Sequence, residues 1–400
     1  FQAEDGIRDL VRSRGLGDVY KRQLPKSDTE CLKKFFLPYK RIIVKVGSSL
    51  LINKDFLKIR NEWLNALSED ISWLQSFKKE IIIVSSGAIA LGRSSFGAEN
   101  KTLNLEENQA AAAIGQIELA YSWKAALEKF NLKCAQILLS PDDTETRRKH
   151  LNARATIAKL IEANIIPVIN ENDTITTSEI KFGDNDRLAA RVAQMSSSDL
   201  LILLSDIDGL YDKNPHLSEK ANHIPKVKEI NDDILKMAGS SHYKFSSGGM
   251  ITKLEAAKIS SLSGCKMIIC NGEENHAILE LAKKRKYTIF EVKDTPLSAR
   301  KKWIAAGLNF SGRVTVDEGA SKALKNGSSL LPAGVIKVDG SFEKGDLIEI
   351  FSHNGIKIAS GLTSYNSQEI VTIAGKKTYD IETLLGYMGR DELIHRDDLV

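Results

Sequence analysis

The sequence predicts an α/β protein with an open, mainly parallel sheet, helices on both faces of that sheet, and a second, small, mainly β domain. Apolar, β-branched runs alternate with stretches whose apolar residues recur at helical spacing. Because these runs are apolar throughout, they are typical of strands buried on both faces, as in parallel sheets. After about residue 300 the pattern changes to short alternating segments separated by glycines, which indicates the small β domain.

Six apolar runs predict the strands of the parallel sheet, and five amphipathic stretches predict its helices. The strands are expected at residues 41–46, 81–84, 135–139, 165–169, 200–204 and 266–270. The helices are expected at residues 56–79, 108–130, 149–163, 185–195 and 251–263. The small domain is expected to contain strands near residues 313–316, 334–338 and 346–350, and the join between the domains is expected near residues 300–311.

Length and composition are those of an ordinary globular protein. The 400 residues, 42% hydrophobic and 27% charged, exclude wholesale disorder. A net charge of +4 is too balanced for a dedicated nucleic-acid or membrane binder. No run approaches the ~18 apolar residues of a transmembrane helix. The cysteines fit neither a disulfide framework nor a zinc site, so we expect reduced thiols and a cytoplasmic protein; they are Cys31, Cys134, Cys265 and Cys270.

The first residues do not resemble the start of a domain. The chain begins at Phe1, and residues 1–23 mix basic residues with acids and glycines, without the apolar run of a signal peptide. We expect a non-native leader here, and a natural flexible extension is the alternative. The expected divisions are a leader that is non-native or disordered, a catalytic domain and a β domain, over residues 1–37, 38–300 and 311–395 respectively.

Polar and small residues follow several predicted strands, at the edge where open α/β sheets bind ligands. Lys45 lies near the end of the first strand, just before Gly47-Ser48-Ser49. A loop of small residues at a helix N-terminus can bind phosphate through backbone N–H groups, and a neighbouring lysine can follow a phosphoryl group in transfer. The alternative is an edge-strand lysine with its ammonium group in solvent. The Walker pattern is absent, which disfavours a nucleotide kinase of that class.

The second predicted strand ends in Ser85-Ser86-Gly87-Ala88. Glycine permits close approach of the backbone, and the Ser86 hydroxyl could donate to a carboxylate. A plain strand-to-helix turn is the alternative. The Gly-x-Ser-x-Gly pattern of a hydrolase nucleophile is absent.

Two acidic and amide-rich clusters, Asn170–Asp173 and Gly183–Asp186, follow the fourth strand. Clustered carboxylates are compatible with a metal site, with binding of a substrate ammonium group, or with orienting active-site lysines. The spacing and the missing terminal Glu exclude an EF-hand loop. N-capping of the next helix by Asp184 is the structural alternative.

Two further segments have the composition of nucleotide-binding loops. Ser205-Asp206 follows the fifth strand, and Ser247-Gly248-Gly249 precedes a helix that carries Lys253 one turn in. A lone Gly-Gly before a helix is weak evidence for phosphate binding. Two basic, glycine-flanked loops in one α/β domain are better evidence together than apart.

Taken together, these motifs resemble the amino acid kinase family. The resemblance covers roughly residues 40–400 in the family's order, and it rests on residues 43–49, 84–90, 151–154, 167–173, 183–186 and 247–253. The C-terminal segments 312–320 and 327–332 resemble the PUA domain that many bacterial members carry.

The resemblance is to the members that phosphorylate the side-chain carboxylate of L-glutamate with ATP, the first step of proline biosynthesis. It implies that Lys45 and Lys253 stabilise the transferring phosphoryl group and that Asp186 holds both lysines in place. It implies that glutamate is bound by Ser86, Asp173 and Asn185. It implies that Mg²⁺ is carried on the ATP phosphates and that ATP is bound by Lys45, Ser205, Asp206, Ser247, Gly248, Gly249, Met250, Ile251, Thr252 and Lys253.

The resemblance also implies regulation and partners. These are feedback inhibition by proline, a homo-oligomer (dimer or tetramer), association with glutamate-5-semialdehyde dehydrogenase, and RNA binding by the PUA domain. No membrane partner and no direct protein ligand for the metal ion are expected.

Three other interpretations stay open. Acetylglutamate kinase and aspartokinase share the expected fold, but the β segment at residues 312–390 argues against both. An RNA-binding or RNA-modifying module would use the basic run Lys283–Lys286 as its footprint, although such a run is usually a solvated helix face. A regulatory pseudokinase is disfavoured because Lys45, Asp186 and Lys253 are all present.

Overall fold

The computed structural model describes residues 24–53, 57–97, 102–176, 185–215, 217–218, 220–238, 249–283, 286–305 and 310–400. The strands in these ranges are β1 (Arg41–Val46), β2 (Ile52–Asn53), β3 (Lys58–Ile59), β4 (Glu80–Ser85), β5 (Lys133–Leu139), β6 (Ile165–Glu171), β7 (Leu200–Ser205), β8 (Leu210–Tyr211), β9 (His223–Ile224), β10 (Lys226–Val227), β11 (Lys266–Asn271), β12 (Tyr287–Phe290), β13 (Gly312–Val316), β14 (Val335–Gly340), β15 (Leu347–Ser352) and β16 (Lys357–Leu362). The helices are α1 (Lys26–Phe36), α2 (Ser48–Leu51), α3 (Asn61–Ser76), α4 (Ala88–Gly92), α5 (Leu105–Glu128), α6 (Pro141–Glu145), α7 (Arg147–Glu162), α8 (Asn185–Ser196), α9 (Asp232–Met237), α10 (Met250–Leu262), α11 (Ala277–Ala282), α12 (Pro296–Ala305), α13 (Glu318–Lys325), α14 (Ser367–Ile373) and α15 (Ile381–Leu385).

The first domain is built on an eight-stranded sheet with the order β10-β12-β11-β7-β1-β4-β6-β5. The strands from β11 to β5 are parallel, while β12 pairs antiparallel with β11 and β10 runs parallel to β12. The parallel strands are the six predicted from apolar runs, so the predicted α/β class is confirmed. Strands β10 and β12 were not predicted, because the hydrophobic pattern of two and four residues is too short to identify a strand.

Strand β1 lies in the centre of the sheet, between β7 and β4. Its side chains alternate between two apolar layers: Ile42 and Val44 pack with α3 and α5, and Ile43 packs with α8 and α10. Since alternate residues of a strand share a face, Lys45 lies on the side of α8 and α10. The alternative of an edge-strand lysine in solvent is wrong, because β1 is paired on both sides and Lys45 is only 5% exposed.

Helix α1 corrects the expected extent of the leader. Its Leu32 and Phe36 side chains are fully buried in the larger apolar layer of the first domain. The expectation that residues 1–37 lie outside the fold is therefore wrong for residues 26–36, because their burial against the core stabilises the helix. Residues 1–23, where a non-native leader is expected, lie outside the described part of the chain.

The second domain is built on a small sheet with the order β14-β13-β15-β16, in which only the β13–β15 pair is parallel. It has an apolar core of its own, which confirms the predicted small β domain. The join near residues 300–311 contains the last turns of α12. A cluster of four buried side chains connects the domains, formed by Leu151 of α7, Ile304 of α12, and Leu347 and Leu362 of the small sheet.

Neither disulfides nor membrane spans occur in the described residues. Cys31, Cys134, Cys265 and Cys270 are all free thiols. Burial raises the pKa of the Cys270 thiol to about 12, so this group is a poor nucleophile. None of the described helices combines the length and the hydrophobicity needed to cross a membrane.

Candidate active site

Three buried charged side chains meet where β1, α8 and α10 come together. The Asp186 carboxylate, at the second residue of α8, is fully buried. Its Oδ1 atom lies 2.5 Å from Lys45 Nζ, and its Oδ2 atom lies 2.9 Å from Lys253 Nζ. The structure thus brings together the three residues to which the family resemblance gives catalytic roles, and we call them the lysine cluster.

The lysine cluster places two ammonium groups against one carboxylate. Burial by itself would raise the pKa of the Asp186 carboxyl, but the adjacent Lys45 and Lys253 ammonium groups outweigh burial and hold that pKa below its ordinary value. The two ammonium groups lie in a site shielded from water, where cations stabilise an anion more strongly than in bulk solvent.

The start of α8 also places an amide group against the end of β4. The Asn185 Nδ2 atom lies 2.9 Å from the Ser85 carbonyl oxygen, 2.8 Å from Ser86 Oγ and 2.8 Å from Asn170 Oδ1. An amide group has two protons for these three acceptors, so one acceptor at a time lacks a proton from Asn185. Two of the three predicted glutamate-binding residues, Ser86 and Asn185, are therefore in direct contact.

The sequence analysis did not single out the residues that support this amide. Asn170 Nδ2 donates to Gln116 Oε1 at 2.7 Å, and Trp123 Nε1 donates to Ser85 Oγ at 2.9 Å. Gln116 and Trp123 lie on α5, 54 and 38 residues away from their partners along the chain. Only Asn170 carried a sequence signal, as the first residue of the acidic and amide-rich cluster after the fourth strand.

Close packing of glycines forms the loop that presents Ser86. Gly87 has a φ of +123°, a backbone conformation that residues other than glycine rarely adopt. Gly115 of α5 lies so close to α4 that an added Cβ would be 1.9 Å from the Ala88 carbonyl oxygen. The strand-to-helix turn considered as the alternative is present, and it also brings Ser86 Oγ to Asn185.

A cavity of about 510 Å³ lies beyond the ends of β7 and β11. Ser205 is buried at the end of β7, and its Oγ donates to Asp206 Oδ1 at 3.0 Å. Tyr211 Oη donates to Asp208 Oδ1 at 2.7 Å and accepts from Lys286 Nζ at 2.8 Å. The residues that line this cavity include Asp206, Asp208, Tyr211, Asn271 and Lys286.

The basic run Lys283–Lys286 follows the end of α11. Lys283 Nζ lies 2.8 Å from Asp28 Oδ2 of α1, and Lys286 contacts Tyr211. Both lysines thus make contacts within the protein, and the two residues between them lie outside the described residues. This arrangement disfavours the run as a footprint for RNA.

The remaining predicted site residues lie at the same edge of the sheet or outside the described residues. Asp173 is half-buried in the turn after β6, and Gly249 is the N-cap of α10. The segment from Met250 to Lys253 forms the start of α10, whereas Ser247 and Gly248 lie outside the described residues, as does the proposed N-cap at position 184. Within the described residues, no group of three or more His, Cys, Asp and Glu side chains is arranged to hold a metal ion.

Comparison with known proteins places this arrangement in a family. The sequence profile of the amino acid kinase family matches residues 40–271, and that of the PUA domain matches residues 312–385. The chain belongs to the amino acid kinase family, so the predicted resemblance is confirmed.

Over almost its whole length, the chain is similar to curated proteins named glutamate 5-kinase. It is 51% identical to the one from Nitrobacter hamburgensis over 92% of this chain and 96% of that protein. It is 51% identical to "Glutamate 5-kinase 1" of Mesorhizobium japonicum over 90% of this chain and 96% of that protein. It is 49% identical to the Bartonella henselae protein over 90% of this chain and 95% of that protein.

Proposed function

We propose that this protein transfers the γ-phosphoryl group of ATP to the side-chain carboxylate of L-glutamate, which gives L-glutamyl 5-phosphate. The observation that carries the proposal is the lysine cluster, in which one buried carboxylate holds two lysine ammonium groups at the ligand-binding edge of the sheet. The name glutamate 5-kinase, carried by relatives about half identical over nearly the full chain, supports glutamate as the acceptor.

The chemistry of this reaction suits the residues. The acceptor carboxylate has an ordinary pKa of about 4.3 and is ionised at neutral pH, so it needs no general base. The difficulty lies in bringing two anions together and in stabilising the charge spread over the phosphoryl oxygens. Lys45 and Lys253 would supply that stabilisation, and Asp186 would hold their ammonium groups in position before the substrate arrives. Such preorganised charge needs no rearrangement during the reaction.

Glutamate would bind between the ends of β4 and β6. The amide of Asn185 and the hydroxyl of Ser86 would donate to its carboxylates, since both groups already meet there. Asp173, in the turn after β6, would accept from the α-ammonium group. A carboxylate in that position gives a reason to reject N-acylated glutamate, which lacks the positive charge.

ATP would occupy the cavity beyond β7 and β11. Asp206 lines this cavity and follows Ser205, the last residue of β7, and both residues would contact the nucleotide. The N-terminus of α10 would supply backbone N–H groups and partial positive charge for the phosphates. The preceding loop, with Ser247 and Gly248, would complete the phosphate site. Mg²⁺ would arrive on the ATP phosphates and neutralise part of their charge.

The wider roles in the proposal rest on the family resemblance. The product would enter proline biosynthesis, and proline would inhibit the enzyme. The enzyme would be a cytoplasmic homo-oligomer, consistent with its free thiols, and could associate with glutamate-5-semialdehyde dehydrogenase. A catalytic domain that includes α1 and extends to about residue 300 would carry the chemistry, and a PUA domain over residues 311–395 would bind RNA.

The test is ATP-dependent hydroxamate formation with Mg²⁺, because hydroxylamine traps a labile acyl phosphate. L-glutamate, N-acetyl-L-glutamate and L-aspartate are offered separately. We expect product from glutamate alone and its suppression by proline. Absence of product from glutamate would refute the proposal, and product from another acceptor would assign the chain a different reaction within its family.

A further inference from the structure

A second and larger cavity, of about 950 Å³, lies on the outer face of α8 and α10. None of the predicted site residues lines it. Its walls come from the α6–α7 region, the later turns of α8 and α10, the segments that follow β10 and β12, and the linker helix α12. We call it the junction cavity, because α7 and α12 also contact the small domain.

The lining of the junction cavity has a large apolar part. Val227, Phe290 and Ala299 are at most 5% exposed and lie at its base. Leu262, the last residue of α10, is 73% exposed although it is a large apolar residue. Together these residues give the cavity an apolar surface that the body of an organic ligand could contact.

Basic side chains outnumber carboxylates in the lining of the junction cavity. The basic ones are Arg191, Lys228, Lys258, Lys293, Arg300 and Lys302, and the acidic ones are Glu145, Glu229, Glu291 and Asp294. Each of these carboxylates lies within 4.0 Å of a basic side chain, and Arg300 shares the buried Asp398 carboxylate with Arg154. Among the salt bridges of the described residues, none within 4.0 Å involves Lys228 or Lys258. An anion in the cavity would therefore be attracted mainly by these two lysines, with Arg300 beside them.

A histidine with a lowered pKa also lines the junction cavity. His150 of α7 is largely buried, and burial is the main reason why the pKa of its imidazole falls to about 4. A hydrogen bond to the Thr144 carbonyl oxygen opposes this shift, and the positive charges of Arg300, Arg154 and Arg191 add to it. The contribution of the arginines has the sign of a positive potential, which would also attract an anion.

We propose that the junction cavity is a binding site for a small organic anion that has an apolar body and a carboxylate or phosphate group. The apolar base would take the body, and the cations at Arg300, Lys228 and Lys258 would take the charge. The volume is at the upper end of the range for small-molecule sites, which extends to about 1,000 Å³. This site is separate from the proposed ATP cavity, with which it shares none of its lining residues.

The experiment is isothermal titration calorimetry of the full chain with three probes: 1-naphthyl phosphate, 1-naphthoate and the uncharged 1-naphthylmethanol. Saturating ADP and Mg²⁺ are present throughout to occupy the nucleotide cavity. We expect saturable binding of at least one anion and at least about tenfold weaker binding of the alcohol. The preference between the phosphate and the carboxylate identifies the natural charged group.

Two exposed positions make the test specific without endangering the fold. Lys258→Glu reverses a rim charge and should weaken the anions at least about tenfold, and Leu262→Gln removes apolar contact and should weaken all three probes. Lys124→Glu on α5, 63% exposed at its side chain, is the matched control and should bind like the wild type. Absence of saturable binding, or equal binding by the wild type and both cavity variants, would overturn the proposal.

Discussion

Two buried carboxylates in this molecule are each in contact with two cations, which are lysines in one place and arginines in the other. Asp186 lies between Lys45 and Lys253 at the edge of the large sheet, and Asp398 lies between Arg154 and Arg300 where the two domains meet. Both carboxylates are at most 4% exposed. In each place one carboxylate is shared by two cations.

The difference lies in the cations. A lysine ammonium group is a compact charge on a flexible stem, so it can follow a group in motion, whereas an arginine guanidinium group is a rigid fork suited to holding a carboxylate. The lysine pair lies where substrates would bind, and the arginine pair lies on α7 and α12, against the last residues of the chain. We therefore expect the lysine pair to act on substrates and the pairing of the two arginines with Asp398 to hold the domains together.

Asp398→Asn tests whether the arginine pair stabilises the folded protein, and it has the largest expected effect on the free energy of unfolding. Burial by itself would raise the pKa of the Asp398 carboxyl, but Arg300 and Arg154 hold that pKa below its ordinary value. The neutral amide would leave the buried Arg300 and the partly exposed Arg154 without the carboxylate that they share, which costs about 3–5 kcal/mol. Urea unfolding at pH 7 should show this loss, whereas kcat of the folded variant should stay within about threefold, since the lysine cluster is untouched.

Asp397→Asn is the matched control, because this neighbouring carboxylate is 42% exposed at its side chain. It should unfold like the wild type. If Asp398→Asn is as stable as this control, the arginine pair does not hold the domains together.

Lys253→Met tests the catalytic role proposed for the lysine cluster. The variant keeps the length of the side chain but removes a cation from the lysine cluster. Losing one preorganised transition-state charge costs about 3–4 kcal/mol, so kcat in the hydroxamate assay should fall by at least about a hundredfold. Lys124→Met, on the exposed face of α5, should leave kcat unchanged. Turnover close to wild type in Lys253→Met would remove this lysine from the mechanism.

The two clusters also differ in how far the sequence predicts them. Lys45, Asp186 and Lys253 each lie in a motif, so the resemblance pointed to all three. The position of Lys45 in a central strand could not be predicted, because the residue pattern of the run Arg41–Val46 is compatible with both a central and an edge strand. Strand order decides between the two, and strand order depends on contacts distant in sequence.

The contacts of Arg154 and Arg300 with Asp398 could not be predicted from the sequence. Asp398 is separated from Arg154 by 244 residues and from Arg300 by 98 residues, and none of the three lies in a pattern that indicates pairing. The same holds for Gln116 and Trp123, which support the proposed glutamate site from a helix distant in sequence. Periodicity and motifs report local structure, whereas these contacts arise only from how the elements pack.

The pH dependence of stability tests the surroundings of His150, a histidine on which the charges of Arg154 and Arg300 act. Its pKa is about 4 in the folded protein, against an ordinary 6.5 in the unfolded chain. As the pH falls below 6.5, the unfolded chain gains a proton that the folded protein refuses, so stability falls until about pH 4. Between pH 7 and pH 5 this residue should account for about 2 kcal/mol of lost unfolding free energy.

The measurement is urea unfolding of the wild type and His150→Gln at both pH values. The variant should lose about 2 kcal/mol less on acidification, because the other groups titrate alike in both proteins. The imidazole of His150 should titrate near pH 4 by NMR, and Arg191→Gln should raise that midpoint by removing a cation. An identical pH dependence in both proteins would show that the fold does not lower the pKa of His150, and an unchanged midpoint in Arg191→Gln would show that this guanidinium group does not act on the histidine.

Asp173→Asn gives the smallest expected effect and separates the charges that act on ATP from those that select glutamate. If Asp173 accepts from the α-ammonium group, the amide weakens one charge-assisted hydrogen bond, worth about 1.5–3 kcal/mol. The apparent KM for glutamate should rise at least about tenfold and that for ATP should change little. Discrimination against N-acetyl-L-glutamate should narrow, since the variant no longer requires the positive charge that acylation removes. Equal changes in both KM values would mean that Asp173 supports the lysine cluster rather than the amino group of the substrate, and the charge that selects glutamate would then lie elsewhere along the ends of β4 and β6.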